Sequence, residues 1–144
     1  MFVWGANEYG ELGLGEGEEN MFAKEPKLLS NKETRLACVG TNHTILHQEN
    51  GELLVFGKNS SCQLGLGDYE HRRKPTLLVN DKNIRMIAAG EFHSFYLSDD
   101  KLFGFGNKSS GEQIYFKKSL YFYERKFKER LGWKRTEDTK RCQH

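Results

Sequence analysis

Hydrophobic and polar positions alternate in short runs along the first hundred residues, too brief for helices and separated by turn residues. "HTILHQE" at 43–49, then Asn50-Gly51, then "ELLVFG" at 52–57 reads as two strands joined by a hairpin. Asn-Gly best suits a two-residue type I′ turn, because both turn positions need positive φ. "HSFYLS" at 93–98, Asp99-Asp100 and "KLFGFG" at 101–106 repeat the form. Val55, Phe56, Leu102, Phe103 and Phe105 supply the β-branched and aromatic bulk that strands favour. The pattern predicts an all-β architecture over residues 2–106, with no helix interrupting it for long.

The runs recur on a fixed period. "VWGANEYGELGLG" at 3–15 returns as "VFGKNSSCQLGLG" at 55–67, and "GTNHTIL" at 40–46 returns as "GEFHSFYL" at 90–97. Gly40 and Gly90, like His43 and His93, stand fifty residues apart, and Pro26 and Pro75 each precede a Leu-Leu pair. A degraded third copy, "FGNKSSGEQ" at 105–113, places Gly106 forty-nine residues after Gly57. Gly10, Gly13, Gly15, Gly65 and Gly67 are too closely spaced for a strand interior. They predict a corner that needs positive φ or close backbone approach, pinned to the core by Leu12 and Leu64. Asn7 and Asn59 are expected to bond neighbouring backbone through their amides, and Glu11 to lie on the surface. About fifty residues, several short strands and one corner per unit describe a propeller blade or a solenoid coil.

The arrangement Trp4-Gly5-x-Asn7-x-x-Gly10-x-Leu12-Gly13, with Gly40-x-x-His43-Thr44 and Gly90-x-x-His93-Ser94, resembles the regulator of chromosome condensation repeat. The likeness covers residues 2 to about 113. Phe56 and Phe105 stand where Trp4 stands, and Cys62 replaces the glycine at Gly10. The resemblance implies a propeller, commonly of seven blades, here a partial array of antiparallel four-stranded blades. Its structural motif falls on Trp4, Gly5, Asn7, Gly10, Gly13, Gly15, Gly40, His43, Gly57, Asn59, Gly65, Gly67, Gly90, His93 and Gly106. The functions it implies are diverse: nucleotide exchange on a Ran-like small GTPase, docking on chromatin, the repeat region of HECT-type ubiquitin ligases, and plain interaction platforms. Fold alone does not choose among these. The expected activity is protein binding without catalysis, with the exchange factor and the ligase substrate-binding region as alternatives.

Residue chemistry narrows the classes. A phosphate loop at Gly10-x-x-Gly13-x-Gly15 lacks a following Lys-Ser/Thr, and Glu11, Glu16, Glu18 and Glu19 would repel phosphate. His43 beside Thr44 and His93 beside Ser94 resemble Ser-His pairs, but adjacent strand residues point to opposite faces. Each histidine is expected to satisfy a buried backbone group once per blade. Cys38 and His43 lack partners for a tetrahedral metal site, so neither metal nor cofactor is expected. Cys38, Cys62 and Cys142 are odd in number and widely spaced, which favours reduced thiols. The basic cluster Arg72, Arg73 and Lys74, within "HRRKP", is expected on a surface loop between units, as an interaction candidate for phosphate or a nuclear address.

Composition adds an asymmetry. The 144 residues are 29% charged with mean hydropathy −0.73, and no run reaches the ~20 apolar residues of a membrane helix. A cytoplasmic or nuclear protein is expected. Residues 114–144 carry ten Lys or Arg against four acids, which leaves residues 1–113 net acidic. In that tail Phe116, Leu120, Tyr123, Phe127 and Leu131 recur at helical spacing, predicting a basic amphipathic helix followed by disorder from 134. Two domains follow, repeats over 1–113 and the tail over 114–144. At about fifty residues per unit the chain holds fewer than three repeats. A fragment of a larger propeller is therefore expected, or completion by other copies or chains.

Overall fold

The computed structural model describes residues 1–17 and 21–106. These residues form nine strands: β1 (Phe2–Ala6), β2 (Phe22–Leu28), β3 (Thr34–Val39), β4 (His43–Gln48), β5 (Glu52–Gly57), β6 (Arg72–Asn80), β7 (Ile84–Ala89), β8 (His93–Ser98) and β9 (Lys101–Gly106). They pair antiparallel into three sheets, β1-β2, β3-β4-β5-β6 and β7-β8-β9. The fifty-residue period makes β1, β5 and β9 the same strand of successive blades. It likewise equates β2 with β6, β3 with β7 and β4 with β8. The central sheet is thus a complete four-stranded blade. Among the described residues the first blade shows its two outer strands and the third its three inner ones. β3 packs against β7, which places that strand of each blade on the inner side.

Burial follows from position in this stack. β4 sits mid-sheet in the middle blade, covered on both faces, and all six of its residues are buried. Strand β3, at a sheet edge, keeps a strict alternation of half-buried and exposed residues. The core joins Ile45, Leu53 and Val55 of the central blade to Leu64 from the second corner loop and Ile84 from the third blade. Each such side chain contributes about 1.5–3 kcal/mol by leaving water. The core therefore belongs to the contact between blades as much as to any one sheet.

Several local expectations change. The Asn50-Gly51 hairpin is not a two-residue type I′ turn: Gly51 has positive φ (97°), Asn50 does not, and the Gly51 N–H donates to the Gln48 carbonyl at 2.9 Å. The Asn50 side chain instead accepts the Glu52 N–H at 3.1 Å, which holds Asn50 in an Asx turn and lengthens the connection by one residue. The basic cluster does not lie in a loop, because Arg72, Arg73 and Lys74 open strand β6. Pro75 interrupts that strand where the register breaks between Val55 and Gly57, and Pro26 does the same in β2 between Val3 and Gly5. Proline lacks a ladder donor and is tolerated at such bulges in an outer strand. Cys62 is disulfide-bonded, which corrects the reading of three reduced thiols, while Cys38 is free. Cys142, the third motif beyond Gly106 and the tail helix lie outside the described residues.

Candidate functional site: the seams between blades

Each corner loop is built from the same backbone bonds. The Asn7 carboxamide oxygen accepts the Leu12 N–H at 2.7 Å, and Asn59 accepts that of Leu64 at 3.0 Å. Gly10 N–H reaches the Asn7 carbonyl and Cys62 N–H the Asn59 carbonyl, at 3.2 and 2.9 Å. Gly13 and Gly65 close the next turn on residues 10 and 62, both at φ 70°, and Gly15 and Gly67 follow at 88° and 85°. Cys62 holds φ 59° where Gly10 holds 91°, so the substituted position keeps the left-handed corner. Glu11 is not a free surface residue: it is only 9% exposed, and its carboxylate accepts the Tyr9 N–H at 2.8 Å. Gln63 takes its place in the second loop, accepting the Ser61 N–H at the same distance.

The loops then lock onto the next blade. Thr44 donates its hydroxyl proton to the Glu11 carbonyl at 2.6 Å, and Ser94 donates to the Gln63 carbonyl at 2.6 Å. His43 reaches across the second seam, with Nε2 2.8 Å from Ser94 Oγ. Because the single Ser94 proton is committed to Gln63, His43 must be the donor, protonated at Nε2. Its Nδ1 is buried without a partner. Burial first, and the nearby His93 second, lower the His43 pKa from 6.5 to about 4, so the ring is neutral at physiological pH. The histidine therefore satisfies a hydroxyl of the following blade, not a backbone group. His47, which the motif did not single out, does meet backbone, with Nε2 3.0 Å from the Asp81 carbonyl. Asp81 accepts from Ser98 and, at 2.8 Å, from the Asn83 N–H, and these bonds hold its carboxyl below its ordinary pKa.

Packing explains the aromatic-Gly pairs. A Cβ at Gly13 would stand 3.1 Å from the Phe56 ring, and one at Gly65 2.8 Å from Phe105. Each corner thus lies on the aromatic of the next blade. Gly57, at φ 104°, lies against the inner hairpin, where a Cβ would meet Asn42 O at 2.5 Å and the His43 Cα at 2.7 Å. Gly106 is pressed by Phe92 and His93 in the same way, and Gly40 by the Gly90 carbonyl of the neighbouring blade. Gly5 has nothing within 4 Å of that point, and Trp4 is 63% exposed. His93, the counterpart of His43, is exposed on the last described blade.

The interaction candidates divide. Arg72 pairs with Asp68 at 2.6 Å, and Arg73 donates to the Glu8 carbonyl at 2.8 Å and pairs with Glu16 at 3.3 Å. Both tie strands to corner loops, and Lys74 is exposed. Tyr9 and Lys58, missed in the sequence, form a small cluster with His71: the Lys58 ammonium sits 4.7 Å over the Tyr9 ring, and His71 meets that ring edge-on. Their positions vary between repeats, so the period gave no signal for them. Among the described residues no three His, Cys, Asp or Glu side chains gather as a metal site requires.

Comparison with known proteins agrees with this geometry. The family model for the regulator of chromosome condensation (RCC1) repeat matches residues 1–46 and 50–97. Those spans run from β1 to β4 and from β5 into β8, so the sequence repeat is out of phase with the blade and straddles each seam. The human X-linked retinitis pigmentosa GTPase regulator is 33% identical over 116 residues, covering 78% of this chain and 11% of that protein. The Arabidopsis thaliana ultraviolet-B receptor UVR8 is 30% identical over 115 residues, covering 78% of this chain and 26% of the receptor. In structure, Prp20p of Saccharomyces cerevisiae matches with TM-score 0.63 and 31% identity over 73% of this chain and 26% of that one. The chain thus spans about a quarter or less of these relatives. With two repeats matched by the family model and their defining residues locked together at the seams, the chain belongs to the regulator of chromosome condensation (RCC1) repeat family.

Proposed function

We propose that the chain is a non-enzymatic protein-interaction module built from propeller repeats. One observation carries this reading: the residues with catalytic potential are consumed inside the seams. His43 and Ser94 are fully buried, and the Ser94 proton already serves a carbonyl, so the pair offers neither an accessible nucleophile nor a general base. Outward, large apolar side chains stand exposed, among them Phe22 on β2 and Leu77 on β6. Exposed apolar groups on a rigid scaffold suit protein docking.

Prp20p binds Gsp1p and histones, which supports guanine nucleotide exchange on a Ran-like small GTPase as the second reading. Release of fluorescent nucleotide from such a GTPase separates the two. The interaction reading expects release at the intrinsic rate with the full chain present. It also expects Phe22→Ser with Leu77→Ser to abolish capture of a bound protein without changing thermal stability. Accelerated release would establish the exchange reading instead.

A further inference from the structure

The turn between β4 and β5 carries the sole Asn-Gly pair of the chain, Asn50-Gly51. Shape fixes the glycine: Gly51 has φ 97°, and a Cβ on it would stand 2.8 Å from both Asn80 Oδ1 and Lys82 Cγ. A side chain at that position would also crowd the backbone nitrogen that follows the Asn50 carboxamide, and glycine leaves it uncrowded. Asn50 is exposed, and its Oδ1 accepts the Glu52 N–H at 3.1 Å. The Glu52 carboxylate bonds the Asn50 side chain and, at 2.8 Å, the Lys32 ammonium. The Gly51 N–H donates to the Gln48 carbonyl at 2.9 Å.

This turn also supports the second seam, at the end of β5 opposite the corner loop. The Gly51 carbonyl accepts the Asp81 N–H at 2.7 Å. Asp81 in turn holds His47 of the middle blade through its carbonyl and Ser98 of the third blade through its carboxylate. The other asparagines stand differently. Asn7 and Asn59 are fully buried, with their amide oxygens committed to Leu12 and Leu64. The exposed Asn31, Asn80 and Asn83 are followed by Lys32, Asp81 and Ile84, whose side chains crowd the next nitrogen.

We propose that Asn50 is a modification site: it converts spontaneously through a succinimide to aspartate and isoaspartate, and the isoaspartyl form loosens the second seam through Asp81. The Gly51 nitrogen attacks the Asn50 Cγ and forms the N–Cγ bond of a five-membered ring. The Cγ–Nδ2 bond breaks, and Nδ2 leaves as ammonia with the proton that Gly51 gives up. Water then opens the ring. Cleavage of the new N–Cγ bond yields aspartate, and cleavage at the original main-chain carbonyl carbon yields isoaspartate. The balance is one water consumed and one ammonia released, with no redox change. Aspartate sets a carboxylate against that of Glu52, so repulsion between like charges replaces a hydrogen bond. Isoaspartate lengthens the main chain by one carbon just before Gly51 and draws the Gly51 carbonyl off the Asp81 N–H. Attack requires the Gly51 and Glu52 N–H bonds of the turn to open, which slows the folded chain about twentyfold against a short peptide.

The test incubates the full chain and a peptide of residues 45–55 side by side at mildly alkaline pH and body temperature. Peptide mapping by mass spectrometry reads each asparagine, and labelling by an isoaspartyl methyltransferase counts isoaspartate. Asn50 should convert before the other asparagines, about twentyfold more slowly than in the peptide. As isoaspartate accumulates, the Asp81 amide should lose hydrogen-exchange protection and the thermal midpoint should fall. Asn50→Gln aged identically should keep both, and freshly prepared Asn50→Asp, which lacks the extra carbon, should keep the Asp81 protection. Conversion of Asn31 or Asn80 ahead of Asn50, or an Asn50 still intact after about a hundred peptide half-lives, would overturn the site. Unchanged Asp81 protection in the isoaspartyl chain would overturn its link to the seam. Neither failure touches the interaction reading above, which rests on other residues.

Discussion

The two seams share an outer half and differ in their inner half. Between the first and middle blades, the Gly13 corner lies on Phe56 and Thr44 bonds Glu11; between the middle and third, the Gly65 corner lies on Phe105 and Ser94 bonds Gln63. Among the described residues, only the second seam has a histidine link, from His43 to Ser94. Equivalent residues consequently live in different surroundings: Phe56 is fully buried where Trp4 is 63% exposed. The lesson is that a motif residue acquires its energetic role from the neighbouring blade, so the same letter is structural in one repeat and idle in another.

The comparison breaks most readily at the aromatics. Phe56→Ala should cost about 3–5 kcal/mol, and Trp4→Ala less than about 1 kcal/mol, both measured by urea denaturation. Equal costs would mean that Trp4 is covered in solution. The glycines come next. Gly57→Ala and Gly5→Ala both strain a positive φ, at 104° and 110°, but only Gly57 also drives a Cβ into backbone. About 3 kcal/mol against about 1 kcal/mol is expected; similar losses at the two sites would remove close approach as the reason for Gly57.

Acid should weaken the second seam selectively. The folded His43 pKa, about 4, lies below its unfolded value near 6.5, so between those values the unfolded chain binds the proton and the folded chain does not. Stability is therefore full above pH ~6.5 and falls as pH drops toward 4, by at most about 3 kcal/mol. Asp81, with a depressed carboxyl pKa, adds a loss only below its ordinary 3.8. Denaturation midpoints from pH 7 to 4 should decline in the parent and flatten in His43→Gln. A parallel decline would place the titrating group elsewhere. The smallest effect belongs to the outer ties: Arg73→Ala, losing the Glu8 carbonyl and Glu16, should cost about 1 kcal/mol, and Arg85→Ala, losing an exposed pair with Asp100, less. The reverse order would show that Arg73 does not brace the first corner.

The period, the corner glycines and the amide bonds of Asn7 and Asn59 were legible in the sequence because they repeat and act within a few residues. What depends on long range was not. His43 finds its partner fifty-one residues away, whereas the sequence offers Thr44 beside it. Nor does a repeat announce where a sheet begins, so the half-blade offset between motif and blade emerges only from strand pairing. Glu11 looked like a surface charge because its backbone carbonyl, the atom that Thr44 uses, leaves no trace in residue type. The cluster at Arg72 looked like a loop because its charges and Pro75 resemble one, yet it opens an outer strand that a bulge lets proline enter.

The central claim is that the recurring histidine and hydroxyl join one blade to the next and not residues within a blade. A double-mutant cycle on His43→Ala and Ser94→Ala, read by equilibrium urea denaturation, tests it most directly, with His93→Ala and Ser94→Ala as the in-blade control. The account predicts a coupling of about 1 kcal/mol between His43 and Ser94 and additivity between His93 and Ser94. Additivity in the first pair, or coupling confined to the second, would contradict it.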